Sequence, residues 1–319
     1  MAVYTHVPAE AMAALLARYG VGRLRSAKGI AEGVQNSNYL VDTDGGRFIL
    51  TLYEQQVEVA DLPFFLALLD HLADRGLPVP RALKDRDGVQ VQQLCGRSAC
   101  LIEFLQGVSL TTPSPAQARA TGRALGAMHV ALADFPLDRP NALGIAGWRP
   151  LAERCGASLD EIAPALAARV ADELAFLDAH WPVGLPRAVI HADLFPDNVL
   201  VLGDDVTGMI DFYFACTEVR AWDVAVTHSA WAFSADGATF DADVGAALLA
   251  GYADSVALSD AERAALPVLA RGAALRFVLT RAWDWLNTPA DALVTRKDPL
   301  AFLRRLDRYA AQGMEIFAR

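Results

Sequence analysis

Apolar positions along the chain fall into two regimes. Up to about residue 105 they come in short runs that suit strands. Residues 23–30, 38–43 and 47–54 read as three of them, and Asp44-Gly45-Gly46 is a hairpin signal between the last two. Residues 8–19 carry Met12, Leu15, Leu16 and Tyr19 at helical spacing and end at Gly20. A second helix is expected over residues 62–75, stopped by Gly76 and Leu77-Pro78-Val79-Pro80. Residues 81–85 and 99–104, on either side of a turn at Asp87-Gly88, read as two further strands. The pattern predicts a five-stranded antiparallel sheet with a helix. From Pro113 onward the apolar period becomes helical. Ser114-Pro115-Ala116-Gln117 reads as a capping-box start, and so do Ser158 with Glu161 and Ser259 with Glu262. The change of regime at Gln106-Gly107 predicts an α+β protein of two lobes, residues 1–105 and residues 106–319.

Composition sharpens this reading. Of 319 residues, 54% are apolar and 21% charged, which supports a substantial core and excludes global disorder. The net charge of −10 argues against a nucleic-acid or anionic-membrane surface. Cys95, Cys100, Cys155 and Cys216 form no Cys-x-x-Cys pair, so neither a structural zinc site nor a disulfide framework is expected. The N-terminal residues lack the pattern of a signal peptide, and no apolar run reaches a membrane-spanning length. A soluble cytoplasmic protein without membrane or nucleic-acid partners is expected.

Candidate chemistry concentrates at Val189-Ile190-His191-Ala192-Asp193-Leu194-Phe195-Pro196-Asp197-Asn198-Val199-Leu200. Apolar flanks enclose a polar loop of the form His-x-Asp-x-x-x-x-Asn. A strand, a turn at Gly203-Asp204-Asp205 and a return strand then deliver Asp211. A hairpin of that length brings Asp211 back beside Asn198. Asp193, Asn198 and Asp211 thus leave strand ends together, a layout that suits phosphoryl transfer. One carboxylate orients an acceptor hydroxyl, and an amide oxygen and a second carboxylate hold Mg²⁺ against nucleotide phosphates. As turn residues around two ordinary strands, the same Asp and Asn side chains would need no chemistry.

The stretch from His191 to Asn198, followed by Ile210-Asp211-Phe212, resembles the aminoglycoside phosphotransferase and choline kinase branch of the protein-kinase-like fold. Within that branch the chain is similar to the bacterial homoserine kinases of the phosphotransferase-like type. The supporting segments are Gly29 to Tyr39, Phe48-Ile49-Leu50-Thr51-Leu52 and Asp61-Leu62-Pro63-Phe64-Phe65. The resemblance implies a two-lobe kinase-like fold, ATP as co-substrate, Mg²⁺ as cofactor, and L-homoserine phosphorylated in threonine biosynthesis by a monomer or homodimer. It implies Asp193 as the base and Asn198 and Asp211 as metal ligands. Asn36, Ser37 and Asn38, in a loop with Gly29 and Gly33, would contact phosphate, and the backbone of Glu103 to Leu105 would meet the adenine edge. His191 and Asp223 would brace the catalytic loop. Arg281 is the candidate for a substrate carboxylate, and Tyr213 for a pocket wall.

One position departs from the kinase pattern. The third strand is expected to carry a lysine that reaches the phosphates and pairs with a helical glutamate. Here Thr51 stands at the matching place, and Phe64 and Phe65 lie where the glutamate would fall. Two rival readings remain open at this point. One is a sibling kinase for choline, an aminoglycoside or another amino alcohol. The other is a non-catalytic nucleotide-binding protein.

Overall fold

The computed structural model describes residues 4–30, 36–54, 58–288 and 296–318. Gly33 and Gln35 of the expected phosphate loop lie outside them. The chain forms two compact units that meet in sequence at Gln106 and Gly107.

The first unit begins with α1 (Ala9–Leu16) and continues through β1 (Leu24–Gly29), β2 (Asn36–Thr43), β3 (Gly46–Tyr53), α2 (Leu62–Asp74), β4 (Gln92–Leu94) and β5 (Arg97–Glu103). The strands make one sheet in the order β1-β2-β3-β5-β4, antiparallel throughout. Asp44 and Gly45 close the β2–β3 hairpin, with Thr43 opposite Gly46. Side chains alternate across a strand. Tyr39 and Val41 of β2 therefore share a face with Leu50 and Leu52 of β3, and that face packs with Met12, Leu15 and Leu16 of α1.

The sheet differs from expectation in its fifth strand. Residues 81–85 do not form one. They touch β5 through an isolated bridge, Ala82 opposite Ile102, while the ladder partner is β4. The tight turn that makes β4 is Cys95-Gly96, both at positive φ of 52° and 76°. Such a turn twists with the strands it joins. The Asp87-Gly88 turn does form, capped by the Asp85 carboxylate, which accepts from the N–H of Asp87 and Val89 at 3.0 and 2.9 Å.

The second unit is mainly helical. It contains β6 (Val108–Ser109), α3 (Pro115–Ala131), α4 (Ile145–Cys155), α5 (Leu159–Ile162), α6 (Leu166–His180), β7 (Arg187–Ile190), β8 (Val199–Leu202), β9 (Asp205–Met209), β10 (Cys216–Val219), α7 (Arg220–Trp231), α8 (Ala242–Ala253), α9 (Asp260–Asn287) and α10 (Leu300–Gln312). The capping boxes at Ser114 with Gln117 and Ser259 with Glu262 form with both reciprocal bonds. Ser158 does not cap. Its backbone is already helical, in a 3-10 turn that continues α4, so it cannot take the extended conformation an N-cap needs. Helices α3 and α8 approach closely because glycines line the contact. A Cβ at Gly122 would lie 2.0 Å from the Leu248 carbonyl oxygen, and one at Gly251 would lie 1.9 Å from that of Arg119. Among the described residues no helix is long and apolar enough to cross a membrane.

Candidate active site

Two small sheets hold the polar loop from both ends. Strand β7 runs into His191 and is paired antiparallel with β10, Ile190 lying opposite Cys216. Strand β8 starts directly after Asn198 and pairs with β9, Val199 opposite Met209. The expected hairpin is therefore present. The Ile210 N–H donates to the Asn198 carbonyl at 3.0 Å, which sets Asp211 next to the loop. Asp211 itself adopts a left-handed conformation, φ 66°, and opens the 3-10 turn that carries Tyr213.

Within the loop, each polar group has a defined task. The Asn198 Nδ2 donates to the Asp193 carbonyl at 2.8 Å and approaches Asp193 Oδ2 at 3.4 Å. With its amide nitrogen so engaged, Asn198 keeps its Oδ1 for another partner. His191 is buried and bonded on both sides. Its Nε2 lies 3.0 Å from the Ile210 carbonyl oxygen, and its Nδ1 lies 3.2 Å from the Asp193 N–H. A carbonyl can only accept and a backbone N–H can only donate, so the ring is neutral with its proton on Nε2. Burial pushes the imidazole below its ordinary range, consistent with that state.

Beneath the loop lies Asp223, on the first turn of α7 and fully buried. Its two oxygens accept from the N–H groups of His191 and Ala192, each at 2.8 Å, and Oδ2 also meets His129 Nε2 at 3.1 Å. Burial would raise this carboxyl, but the His129 imidazole and the His191 neighbourhood together hold it below the usual range. Ala192 is left-handed, φ 64°, a conformation costly for a residue with a Cβ unless its surroundings enforce it. Trp231 adds a further tie, its indole N–H donating to the Leu194 carbonyl at 2.9 Å. Phe195 packs edge-on against Phe277, ring centres 5.0 Å apart.

The two outer carboxylates stand in a different environment. Burial is the main influence on both, and it raises both. For Asp211 the nearby charges of Asp193 and Asp197 add to it, pushing the group up to about 7. No hydrogen bond to the Asp211 side chain is found among the described residues. A buried carboxylate beside a second carboxylate, with an amide oxygen that makes no hydrogen bond among the described residues, suits a cation with a preference for oxygen. Among the described residues no cluster of three or more His, Cys, Asp or Glu side chains forms a closed metal cage. The Asp211 carboxylate and the Asn198 amide oxygen fit Mg²⁺, which usually takes one or two carboxylates and completes its shell with phosphate and water.

Arginines approach the loop from α9. Arg281 donates to the Asp298 carbonyl at 3.2 Å and lies 4.5 Å over the Phe302 ring. Burial pushes it down to about 10, against the opposing pull of Asp193 and Asp298. Lys297 lies 4.0 Å from Asp197. Arg276 of α9 makes direct contact with the loop, and His129 of α3 meets the aspartate beneath it. Neither has a local signal, because each is far from the loop in sequence.

The remaining candidates belong to the first unit. Asn36, Ser37 and Asn38 are in β2 and not in the preceding turn. Strand alternation divides them. Asn36 and Asn38 lie opposite Tyr53 and Thr51 in the ladder, and Thr51 Oγ1 donates to Asn38 Oδ1 at 2.7 Å. Ser37 points to the other face. It is fully buried, accepts from the Tyr4 and Thr5 N–H groups at 2.8 and 3.0 Å, and donates to Glu54 at 2.7 Å. The expectation of a phosphate contact at Ser37 is therefore corrected, because its hydroxyl is consumed in anchoring the N-terminal segment. Glu103 ends β5, with its N–H given to the Arg81 carbonyl at 2.9 Å, and Leu105 follows outside the ladder.

Oxygen-bearing side chains set at the ends of a short hairpin, on a loop braced from beneath by a buried aspartate, are the equipment of a small-molecule phosphotransferase. The pattern of the phosphotransferase enzyme family matches residues 26–258, and the chain belongs to that family. It is 56% identical over 317 residues to the homoserine kinase of Zymomonas mobilis subsp. mobilis, covering 99% of both chains. It is 54% identical over 306 residues to the homoserine kinase of Methylobacterium sp. (strain 4-46), covering 96% of this chain and 95% of that one. Among solved structures, an amicoumacin kinase in complex with AMP-PNP and Ca²⁺ superposes with a TM-score of 0.71 over 96% of this chain and 94% of its own, at 15% identity. At that identity the likeness shows the fold, a two-lobe α+β fold of the kinase-like type.

Proposed function

We infer that the protein is an ATP-dependent small-molecule kinase that phosphorylates the side-chain hydroxyl of L-homoserine, giving O-phospho-L-homoserine for threonine biosynthesis. The observation that carries this reading is the 56% identity to a homoserine kinase along the whole chain. The intact set of Asp193, Asn198 and Asp211 supports it from the side of chemistry.

Asp193 orients the acceptor hydroxyl and takes its proton as the hydroxyl oxygen bonds the γ-phosphorus of ATP and the bond from that phosphorus to the departing ADP breaks. Its backbone carbonyl is tied to Asn198, so the side chain leaves the loop in a fixed direction. Asn198 Oδ1 and the Asp211 carboxylate would hold Mg²⁺, which would supply charge neutralisation at the nucleotide phosphates. His191 and Asp223 keep the loop in its left-handed turn and never touch the reacting atoms. Most of the rate enhancement then comes from alignment and charge neutralisation. Arg281 is the partner for the substrate carboxylate, and Tyr213 forms part of the acceptor wall. Residues 1–105 serve as the nucleotide-binding lobe and residues 106–319 as the catalytic and acceptor-binding lobe. Asn36, Asn38 and the backbone at Glu103 and Leu105 face the nucleotide. The enzyme works in the cytoplasm as a monomer or homodimer.

The test is ADP release from Mg-ATP in a coupled assay, with L-homoserine, L-serine, choline and kanamycin as acceptors. Turnover with L-homoserine far above the other three is expected. Preference for another acceptor would discard homoserine and keep the kinase. Silence with every acceptor, with Mg-ATP still bound, would discard the kinase.

A further inference from the structure

Near the middle of α9 lies a cation that the mechanism above does not use. Arg276 is 2% exposed and lies deep in the second unit. Its guanidinium carbon is 4.6 Å from the Phe277 ring centre, 5.1 Å from that of Phe214 and 5.7 Å from that of Trp222. Nη1 donates to the Ala192 carbonyl. Nη2 stands 3.7 Å from Asp193 Oδ1. Nε has no hydrogen-bond partner among the described residues.

We propose that Arg276 is a positioning residue for phosphoryl transfer, fixing the peptide between Ala192 and Asp193 and supplying positive charge beside the Asp193 carboxylate without capturing it.

Three observations carry this. First, the left-handed Ala192 is held on both sides. Asp223 takes its N–H at 2.8 Å, and Arg276 gives to its carbonyl. That carbonyl belongs to the peptide that leads into Asp193, so its orientation sets the direction in which the Asp193 side chain departs. Second, 3.7 Å exceeds hydrogen-bond range. A bidentate ion pair would occupy the carboxylate lone pairs that must accept the proton. At this distance the cation offsets the burial of Asp193 without itself taking up a carboxylate lone pair. Third, the arrangement is a poor way to gain stability. A guanidinium buried among aromatic rings with one N–H unsatisfied loses much hydration, and an apolar side chain of similar volume generally serves a core as well or better. A residue with a purely structural task would not need this charge.

The proposal rests on the kinase reading, and the test separates the two. The full-length protein is assayed with the acceptor it turns over fastest among those named above, so wild-type turnover reports on the reading and the ratio of variant to wild type reports on Arg276. Arg276→Met is expected to keep its thermal midpoint and its KM for Mg-ATP and acceptor within about 3-fold, while kcat falls about 100-fold, a size common for lost positioning. Arg276→Lys, which keeps the charge but loses the planar fork, should fall between the two. In an Asp193→Asn background, Arg276→Met should cost little more, because the group it positions is already gone. A folded Arg276→Met with kcat within about 3-fold of wild type would overturn the proposal. So would the full loss appearing again in the Asp193→Asn background. If Arg276→Met does not fold, Arg276→Lys decides by the same split between kcat and KM.

Discussion

His228 shows how a single buried group ties this fold to pH. It is fully buried on α7, with Nδ1 2.8 Å from the Tyr309 hydroxyl and no partner for Nε2 among the described residues. Burial pushes it from its ordinary 6.5 down to about 3. The sign follows directly. Above the ordinary value both states are neutral and His228 has no effect. As pH falls below it, the unfolded chain takes up a proton that the folded chain refuses. Stability should therefore fall with pH between those two values, by about 1.4 kcal/mol per pH unit for this one group. Urea unfolding at about pH 7 and about pH 5 would measure the slope. The His228→Gln variant should show a shallower one, and an unchanged slope would mean that other groups carry the acid sensitivity. His191 is also lowered by burial and adds in the same direction. At this scale the loop residues were legible in the sequence, because Asp193, Asn198 and Asp211 declare themselves by spacing. His228 was not, since a histidine amid apolar residues looks the same whether or not it is sealed from water.

Elements succeed or fail here by what they can approach. The α3–α8 contact is closer than helices with ordinary side chains allow, and the glycines at Gly122 and Gly251 are the reason. Gly251→Ala puts a methyl group against backbone, which cannot give way as a flexible side chain does. The expected cost is about 1–3 kcal/mol, read as a lower urea midpoint with unchanged slope. Wild-type stability in that variant would mean that α8 slides without penalty. Helix ends were readable where a cap stood free, as at Ser114 and Ser259. At Ser158 the signal was present but the preceding helix had already claimed the backbone. The fifth strand went astray for a related reason. Strand β5 is longer than β4, and Ala82 touches it near its far end, so two segments share one edge and only one becomes a strand.

At the scale of the whole molecule, binding and chemistry should separate cleanly. Asp193→Asn removes the proposed proton acceptor and keeps a side chain of the same shape. Turnover should drop by about 10²–10⁴-fold. Mg-ATP should still raise the thermal midpoint as it does for wild type, since ligand stabilisation depends only on affinity for the folded state. Loss of that shift would place Asp193 in nucleotide binding. The sequence by itself determined what is local. It set the change from strands to helices, the β8–β9 hairpin that returns Asp211 to Asn198, and the absence of a lysine at Thr51, because these are written in spacings of a few residues. Tertiary structure decided what no local pattern encodes. It turned Ser37 away from Asn36 and Asn38, because a strand shows successive side chains to opposite faces and only the pairing says which face is which. It also carried His129 to Asp223, 94 residues apart in sequence, and Arg276 to Ala192, 84 apart. Contacts across such distances arise when helices bury their apolar faces, and the polar groups they bring along are fixed by that packing.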